Sequence, residues 1–151
     1  MRGNGTRGGV LLLSIIAAFI AMLSPDASLA RSRVATQSAV YIERTGPDAT
    51  RRLEPAARLS RGDRVIAVVN WRRVDGDGDF VITSPLPPAL AYQASAWDDQ
   101  QVSVDGGHSW GRLAGLRIGN RMATPEDVTH IRWRIAAHRR SGGIAYSGIV
   151  R

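Results

Sequence analysis

The chain has 151 residues, no cysteine, and 20 basic residues against 13 acidic ones. The missing cysteine excludes disulfides, thiol nucleophiles and thiolate metal ligands, so the folded part must be stabilised by packing and hydrogen bonds alone. Every basic residue is arginine, which we attribute to a GC-rich genome, and the net charge of +7 favours anionic surfaces as partners.

The first 30 residues have the pattern of a secretory signal peptide. A basic start precedes an apolar run of 14 residues, Val10–Leu23, and Pro25 then precedes the small residues Ser28 and Ala30 at the usual cleavage spacing. The run is shorter than the roughly 20 residues of a membrane-spanning helix; an uncleaved membrane anchor is the alternative. The sequence therefore predicts a signal peptide over residues 1–30 and a periplasmic or extracellular location, where nucleic acid is not an expected partner.

The remaining residues are enough for one domain with a core of its own. Residues 31–39 are polar and are predicted to form a flexible arm, and residues 40–151 are predicted to form the domain. Short alternating runs between turn signals predict about seven or eight strands, no amphipathic helix, and an all-β antiparallel sandwich. The predicted strands cover 40–42, 65–71, 80–83, 89–94, 101–104, 112–118, 128–135 and 144–150.

Some of these segments carry more specific expectations. Residues 65–71 are apolar on both faces and predict a central strand, whereas 128–135 alternate as a half-buried strand. Residues 49–62 are predicted to be a connection with one possible helical turn at 55–57. Residues 144–150 are predicted to form an edge strand that could pair with a strand of a partner. The tryptophans predicted to be in the core are Trp71, Trp110 and Trp133.

Five segments together resemble a known module. They are Gly62–Val65, Phe80–Pro87, Leu90–Tyr92, Ser103–Trp110 and Asp127–Trp133. In this order they resemble the conserved repeat domain of bacterial secreted and cell-surface proteins, a family of unknown function. The resemblance implies an immunoglobulin-like β-sandwich, usually repeated in tandem as a stalk, with no catalytic residues and no cofactor. This chain differs from that pattern in having one copy and in lacking the Asn-x-Gly that often ends the central strand.

One short motif matches a catalytic pattern. Gly107–Gly111 fits Gly-x-Ser-x-Gly, and Asp127 and His130 or His138 follow Ser109 in the order of an esterase triad. The nucleophile elbow of that fold needs a helix after the motif and a parallel sheet beneath it, and the sequence predicts neither. A small serine hydrolase is therefore a remote alternative, and the sequence predicts no enzyme and no catalytic residue.

Three alternating acids form a candidate cation site. Asp75, Asp77 and Asp79 are separated by glycines, as in calcium loops, but Phe80 and Leu86 stand where an EF-hand requires glycine and glutamate. The favoured interpretation is a solvated turn neutralised by neighbouring arginines, with weak calcium binding as the alternative. No metal site and no cofactor are predicted.

A basic stripe on one strand is the other candidate site. His130, Arg132 and Arg134 share a face, and Arg139 and Arg140 could extend it into an anion-binding surface; a solvated strand face is the simpler interpretation. Trp97, in a polar loop, could stack on a sugar, although anchoring the loop is the simpler role.

These observations favour an exported, non-catalytic structural or interaction module of the bacterial envelope. The alternative is a binding module for anionic or sugar-containing envelope polymers. The partner is expected to be a protein or an envelope polymer, with membrane contact only through an uncleaved leader.

Overall fold

The computed structural model describes residues 32–151, so the predicted signal peptide lies outside the described residues. In this part of the chain the regular structure is almost entirely β, which confirms the all-β prediction. The strands are β1 (Arg33–Thr45), β2 (Arg51–Pro55), β3 (Arg64–Asp75), β4 (Phe80–Pro85), β5 (Leu90–Ser95), β6 (Gln101–Ser103), β7 (Arg117–Ile118), β8 (Arg121–Met122), β9 (His130–Ile135) and β10 (Ser141–Val150). Two single-turn 3₁₀ helices span Leu113–Gly115 and Pro125–Asp127. No helix in the described part is long and apolar enough to cross a membrane.

The strands form two main sheets, and neighbouring strands are antiparallel throughout. The five-stranded sheet has the order β2-β1-β3-β10-β5, and the three-stranded sheet has the order β4-β9-β6. The chain moves from one main sheet to the other between β3 and β4, between β4 and β5, between β5 and β6, and between β9 and β10. Strands that are distant in the sequence therefore lie side by side, as β3 and β10 do.

The core lies between these two sheets. From the three-stranded sheet, Ile131, Trp133 and Ile135 are each 0% exposed, which confirms the predicted alternation of this strand. The Trp133 ring lies 5.8 Å from the ring of Tyr146 on the other sheet, and the Tyr146 hydroxyl is 3.1 Å from the Ser84 hydroxyl. Burial raises the pKa of Tyr146 to about 12, since an apolar surrounding disfavours the charged phenolate. The two sheets thus share one continuous core.

The central strand is β3, as predicted. Its inward residues Val65, Ala67, Val69 and Trp71 are all buried. It has β1 on one side and β10 on the other, so its whole length is hydrogen-bonded within the sheet. The apolar residues of its other face, Ile66 and Val68, are only half-buried.

The N-terminal part of the domain corrects two predictions. The expected arm over residues 31–39 is wrong from Arg33 onward, because β1 begins there and pairs with β3 along its length. The expected connection at 49–62 contains β2, which pairs with the end of β1, and no helical turn forms at 55–57. Backbone pairing and the packing of Val34 and Val40 against the core outweigh the polar composition of these segments.

The last strand corrects another prediction. Residues 144–150 belong to β10, which lies between β3 and β5 and is not an edge strand. Gly148 permits this position, since a Cβ there would lie 3.0 Å from the carbonyl oxygen of Ala91 on β5. The sequence could not reveal this, because a strand's neighbours depend on the order in which distant strands pair.

The segment at 112–118 also differs from the prediction of one strand. It contains the first 3₁₀ helix and then β7, which forms a hairpin with β8 through a turn at Gly119 (φ +56°). Within the described chain this hairpin pairs with no other strand. Ile118 and Met122 are exposed on it.

Candidate binding groove on the outer sheet face

The candidate site is built on β9, the middle strand of the three-stranded sheet. Successive side chains of a strand point to opposite faces. Because Ile131, Trp133 and Ile135 point into the core, Arg132 and Arg134 project from the opposite face, which we call the outer face. The predicted separation of apolar and basic residues on this strand is therefore confirmed.

The outer face carries a groove of about 580 Å³, which we call the outer groove. Its lining combines two arginines, two carboxylates, one amide and two small apolar side chains. The lining residues are Asp79, Val81, Asp99, Gln101, Arg132, Arg134 and Ala136. They come from β4, β6 and β9 and from the segments that flank these strands.

Arg132 is fixed in place by its neighbours. Its Nε donates a hydrogen bond of 2.8 Å to Oε1 of Gln101, the residue directly opposite on β6. Its guanidinium carbon lies 4.4 Å from the centre of the Trp110 ring, a distance at which a cation is attracted to an aromatic face. These contacts hold Arg132 as a rigid part of the groove floor.

Trp110 is therefore not the core residue that the sequence predicted. It is half-buried, and its Nε1 donates to the carbonyl oxygen of Gly107 at 2.8 Å. Val102 and Gly111 form a bridge that continues the sheet beyond β6 and leaves Trp110 on the outer side, against Arg132.

Other groups of the outer groove are available to a ligand. In the described chain, Arg134 and Asp99 have no hydrogen-bond or ion-pair partner, and Gln101 Nε2 has none either. Asp79 accepts one hydrogen bond, 2.8 Å from the amide of Ala137, which leaves its second oxygen available. The groove therefore offers both hydrogen-bond donors and hydrogen-bond acceptors.

Sequence reasoning missed Asp99 and Gln101 of this site, and it assigned Asp79 only to the candidate cation turn. The alternation of residues 101–103 was a usable signal, because it placed Val102 inside and Gln101 outside. Asp79 and Asp99 belong to turns, and only the β4-β9-β6 order brings these turns next to Arg134.

The rest of the predicted basic stripe lies elsewhere. His130 does not line the groove: its ring packs edge-on against Trp110 with the centres 6.3 Å apart. Arg139 lies 4.6 Å from the ring centre of Trp97, and Trp97 is half-buried against the core. Trp97 thus anchors its loop, the simpler of its two predicted roles, and it does not line the outer groove.

The esterase-like motif forms a hydrogen-bonded turn. The Ser109 hydroxyl and amide both donate to the Asp105 carboxylate, which also accepts from the Ser103 hydroxyl and the His108 amide. The hydrogen bond from the Ser109 hydroxyl is the main reason that the pKa of Asp105 lies well below its usual range.

The other members of the motif have separate partners. Asp127 accepts from both terminal nitrogens of Arg121, at 2.6 and 2.7 Å, and from the hydroxyl of Thr124. His130 Nδ1 lies 3.1 Å from the Thr129 hydroxyl. No hydrogen bond joins Ser109, Asp127 and His130, so the structure does not assemble the triad that the motif suggested.

The acidic turn at 75–79 is organised around an arginine. The carbonyl oxygens of Gly76 and Gly78 accept hydrogen bonds from Arg73, and Asp75 accepts from the amide of Gly76. Among the described residues, no three histidine, aspartate or glutamate side chains are grouped as metal ligands would be.

Comparisons with known protein families, with curated proteins and with solved structures find no match for this chain. The functional argument therefore depends on the outer groove and its contacts.

Proposed function

We propose that this chain is an exported, non-catalytic interaction module of the bacterial envelope, which binds a sugar-containing polymer in the outer groove. We further propose that its two sheets form a variant immunoglobulin-like sandwich, in which β10 lies beside β3 and not in the sheet of β4 and β9. The observation that supports the binding function is a groove with unpartnered donors and acceptors on one sheet face.

The chemistry of the groove suits a polyhydroxylated ligand. A sugar hydroxyl donates one hydrogen bond and accepts others. Arg134 and Gln101 Nε2 supply donors, and Asp99 and Asp79 supply acceptors. Because two arginines face two carboxylates in the lining, the local charge is nearly balanced, which favours a neutral or weakly anionic glycan over a densely charged polymer. Arg132 is held by Gln101 and Trp110, so this part of the groove is already ordered before a ligand binds.

The first prediction concerns Arg134. Arg134→Ala removes a charged donor, and a hydrogen bond to a charged group contributes about 1.5–3 kcal/mol. We expect affinity for envelope polysaccharide to fall about tenfold or more. Isothermal titration with solubilised cell-wall and lipopolysaccharide fractions measures this change.

The matched control is Arg72→Ala. Arg72 is also exposed and without a partner in the described chain, but it lies on β3 in the other sheet, so its loss should leave the affinity unchanged. Equal losses in the two variants would contradict the proposal, as would the absence of binding to any polysaccharide fraction. The dependence of the affinity on salt concentration distinguishes the two polymer classes. A weak dependence supports a sugar, whereas a steep loss of affinity with rising salt indicates a densely anionic polymer.

A further inference from the structure

Among residues 32–151, one edge of the five-stranded sheet is open. The hairpin partner β2 covers only Tyr41–Thr45 of β1, and β1 is paired with β3 on its other side. The carbonyl oxygen of Val40 accepts from the amide of Ala56, so the backbone groups of Val40 point away from β3. In an antiparallel strand this direction repeats at every second residue. The backbone groups of Ser38 and Thr36 therefore also point outward.

The side chains of this edge give it no protection. Exposed edge strands are usually blocked by charges, proline or bulges that prevent pairing with another chain. Residues 34–40 contain no charged residue, no proline and no glycine, and the β-bulge of β1 lies at their N-terminal end, between Arg33 and Val34. The neighbouring β2 differs, since it carries Arg51, Arg52 and Glu54. Two copies of this protein can thus approach along residues 35–39 without like charges meeting, despite the net charge of +7.

The sequence of the edge is nearly the same in both directions. Residues 34–40 read Val-Ala-Thr-Gln-Ser-Ala-Val. If two copies pair antiparallel about Gln37, Gln37 faces its equivalent, Thr36 faces Ser38, and Ala35 faces Ala39. Such a pairing is isologous, the self-complementary arrangement of a twofold dimer. Threonine and serine are also favourable opposite each other, because their hydroxyls can hydrogen-bond across strands.

We propose that two copies of this chain dimerise by antiparallel pairing of β1, with a twofold axis at Gln37. The ladder covers Ala35–Ala39, because the carbonyl of Val40 is already occupied by Ala56. Thr36 and Ser38 of each copy supply its backbone hydrogen bonds and join the two five-stranded sheets. A ladder this short buries little surface, so the dimer is weak and depends on concentration. The outer groove belongs to the other sheet and is not covered.

The test uses charge at the twofold axis. Gln37 is exposed, so Gln37→Lys and Gln37→Glu leave the fold intact, which circular dichroism verifies. Each substitution places like charges directly opposite each other in the dimer, which is destabilising. We expect the dimer dissociation constant to rise about tenfold in each variant. Sedimentation equilibrium of protein expressed from the full chain, over a range of concentrations, measures this constant.

An equimolar mixture of the two variants supplies the decisive result. Lysine then faces glutamate, and dimerisation should return to the wild-type level or exceed it. Gln93→Lys is the matched control, since Gln93 is an exposed glutamine on β5 at the opposite edge of the same sheet; it should not change the association. A monomeric wild type overturns the proposal, as does a dimer insensitive to both Gln37 substitutions. The proposal is also overturned if the mixture of variants does not restore dimerisation. It is overturned as well if the protein stays monomeric and pairs with a strand of a different protein.

Discussion

At the scale of single residues, Arg73 shows how this protein accommodates a buried cation. Arg73 is 6% exposed, and its hydrogen-bond partners are neutral oxygens. Its guanidinium donates to the Ser32 hydroxyl at 2.7 Å, to the Gly78 carbonyl at 2.7 Å and to the Arg139 carbonyl at 3.3 Å, and it lies 4.8 Å from the ring centre of Phe80. One side chain thus connects the start of the described chain with two turns.

This arrangement predicts that Arg73→Lys destabilises the fold although the charge is kept. Lysine lacks the planar fork that reaches several oxygens at once. The partly buried carbonyls of Gly76, Gly78 and Arg139 therefore lose donors, at a cost of about 1–3 kcal/mol. Urea unfolding measures the loss. Arg72→Lys, at the exposed neighbouring position, should stay within about 0.5 kcal/mol of wild type. If Arg73→Lys changed the free energy of unfolding as little as Arg72→Lys, the contacts of Arg73 would contribute little to stability.

Two carboxylates with strongly lowered pKa values couple stability to pH. Asp105 and Asp127 both have pKa values below the ordinary 3.8, because hydroxyls and amides donate to the first and Arg121 donates to the second. As the pH falls, Asp105 and Asp127 become protonated in the unfolded chain before they do in the folded protein. Their contribution to folding stability is therefore complete above a pH of about 5 and is lost progressively below about 4.

We accordingly expect the melting temperature to fall between about pH 5 and pH 3. In the double variant Asp105→Asn, Asp127→Asn the melting temperature should be lower at neutral pH, and its decline on acidification should be shallower. Thermal unfolding followed by circular dichroism measures both. Asp98→Asn, at an exposed carboxylate without a partner in the described chain, is the control and should keep the wild-type pH profile.

At the scale of the elements, strands with a buried face were predictable and their neighbours were not. The alternation in β9 and the apolar character of β3 identified both strands, because core contacts select those side chains. β2 has no buried residue, so its composition resembles that of a loop, and only its pairing with β1 makes it a strand. For the same reason the position of β10 inside the sheet could not be read from its own residues.

The position of β10 predicts the effect of a truncation. Deleting residues 144–151 removes the strand that joins β3 to β5, together with the buried residues Ile144 and Tyr146. We expect the truncated protein to be unfolded, with loss of the β signal in circular dichroism. Deleting only Arg151 removes hydrogen bonds to Ala89 and Leu90 and should leave a folded protein. A folded 1–143 chain would contradict the assigned role of β10.

At the scale of the whole molecule, the two-sheet arrangement explains which parts of the candidate site the sequence could predict. The class of fold followed from turn signals and alternation, and Arg132 and Arg134 followed from the period of one strand. The groove itself required three strands to pair in the order β4-β9-β6, which brings Asp79 and Asp99 to the same face. Trp110 was misplaced for a similar reason, since an aromatic residue beside a turn can cover either face of a sheet.

The separate β7–β8 hairpin also has a practical consequence. Its tip, at Gly119 and Asn120, is exposed and lies outside both main sheets. Exposed loop tips of this kind accept inserted sequences better than paired strands do. A fluorescent reporter or an affinity tag inserted between Gly119 and Asn120 would therefore leave the sandwich core, the outer groove and the open edge of β1 undisturbed, so that the protein could be followed in cells while all three stay intact.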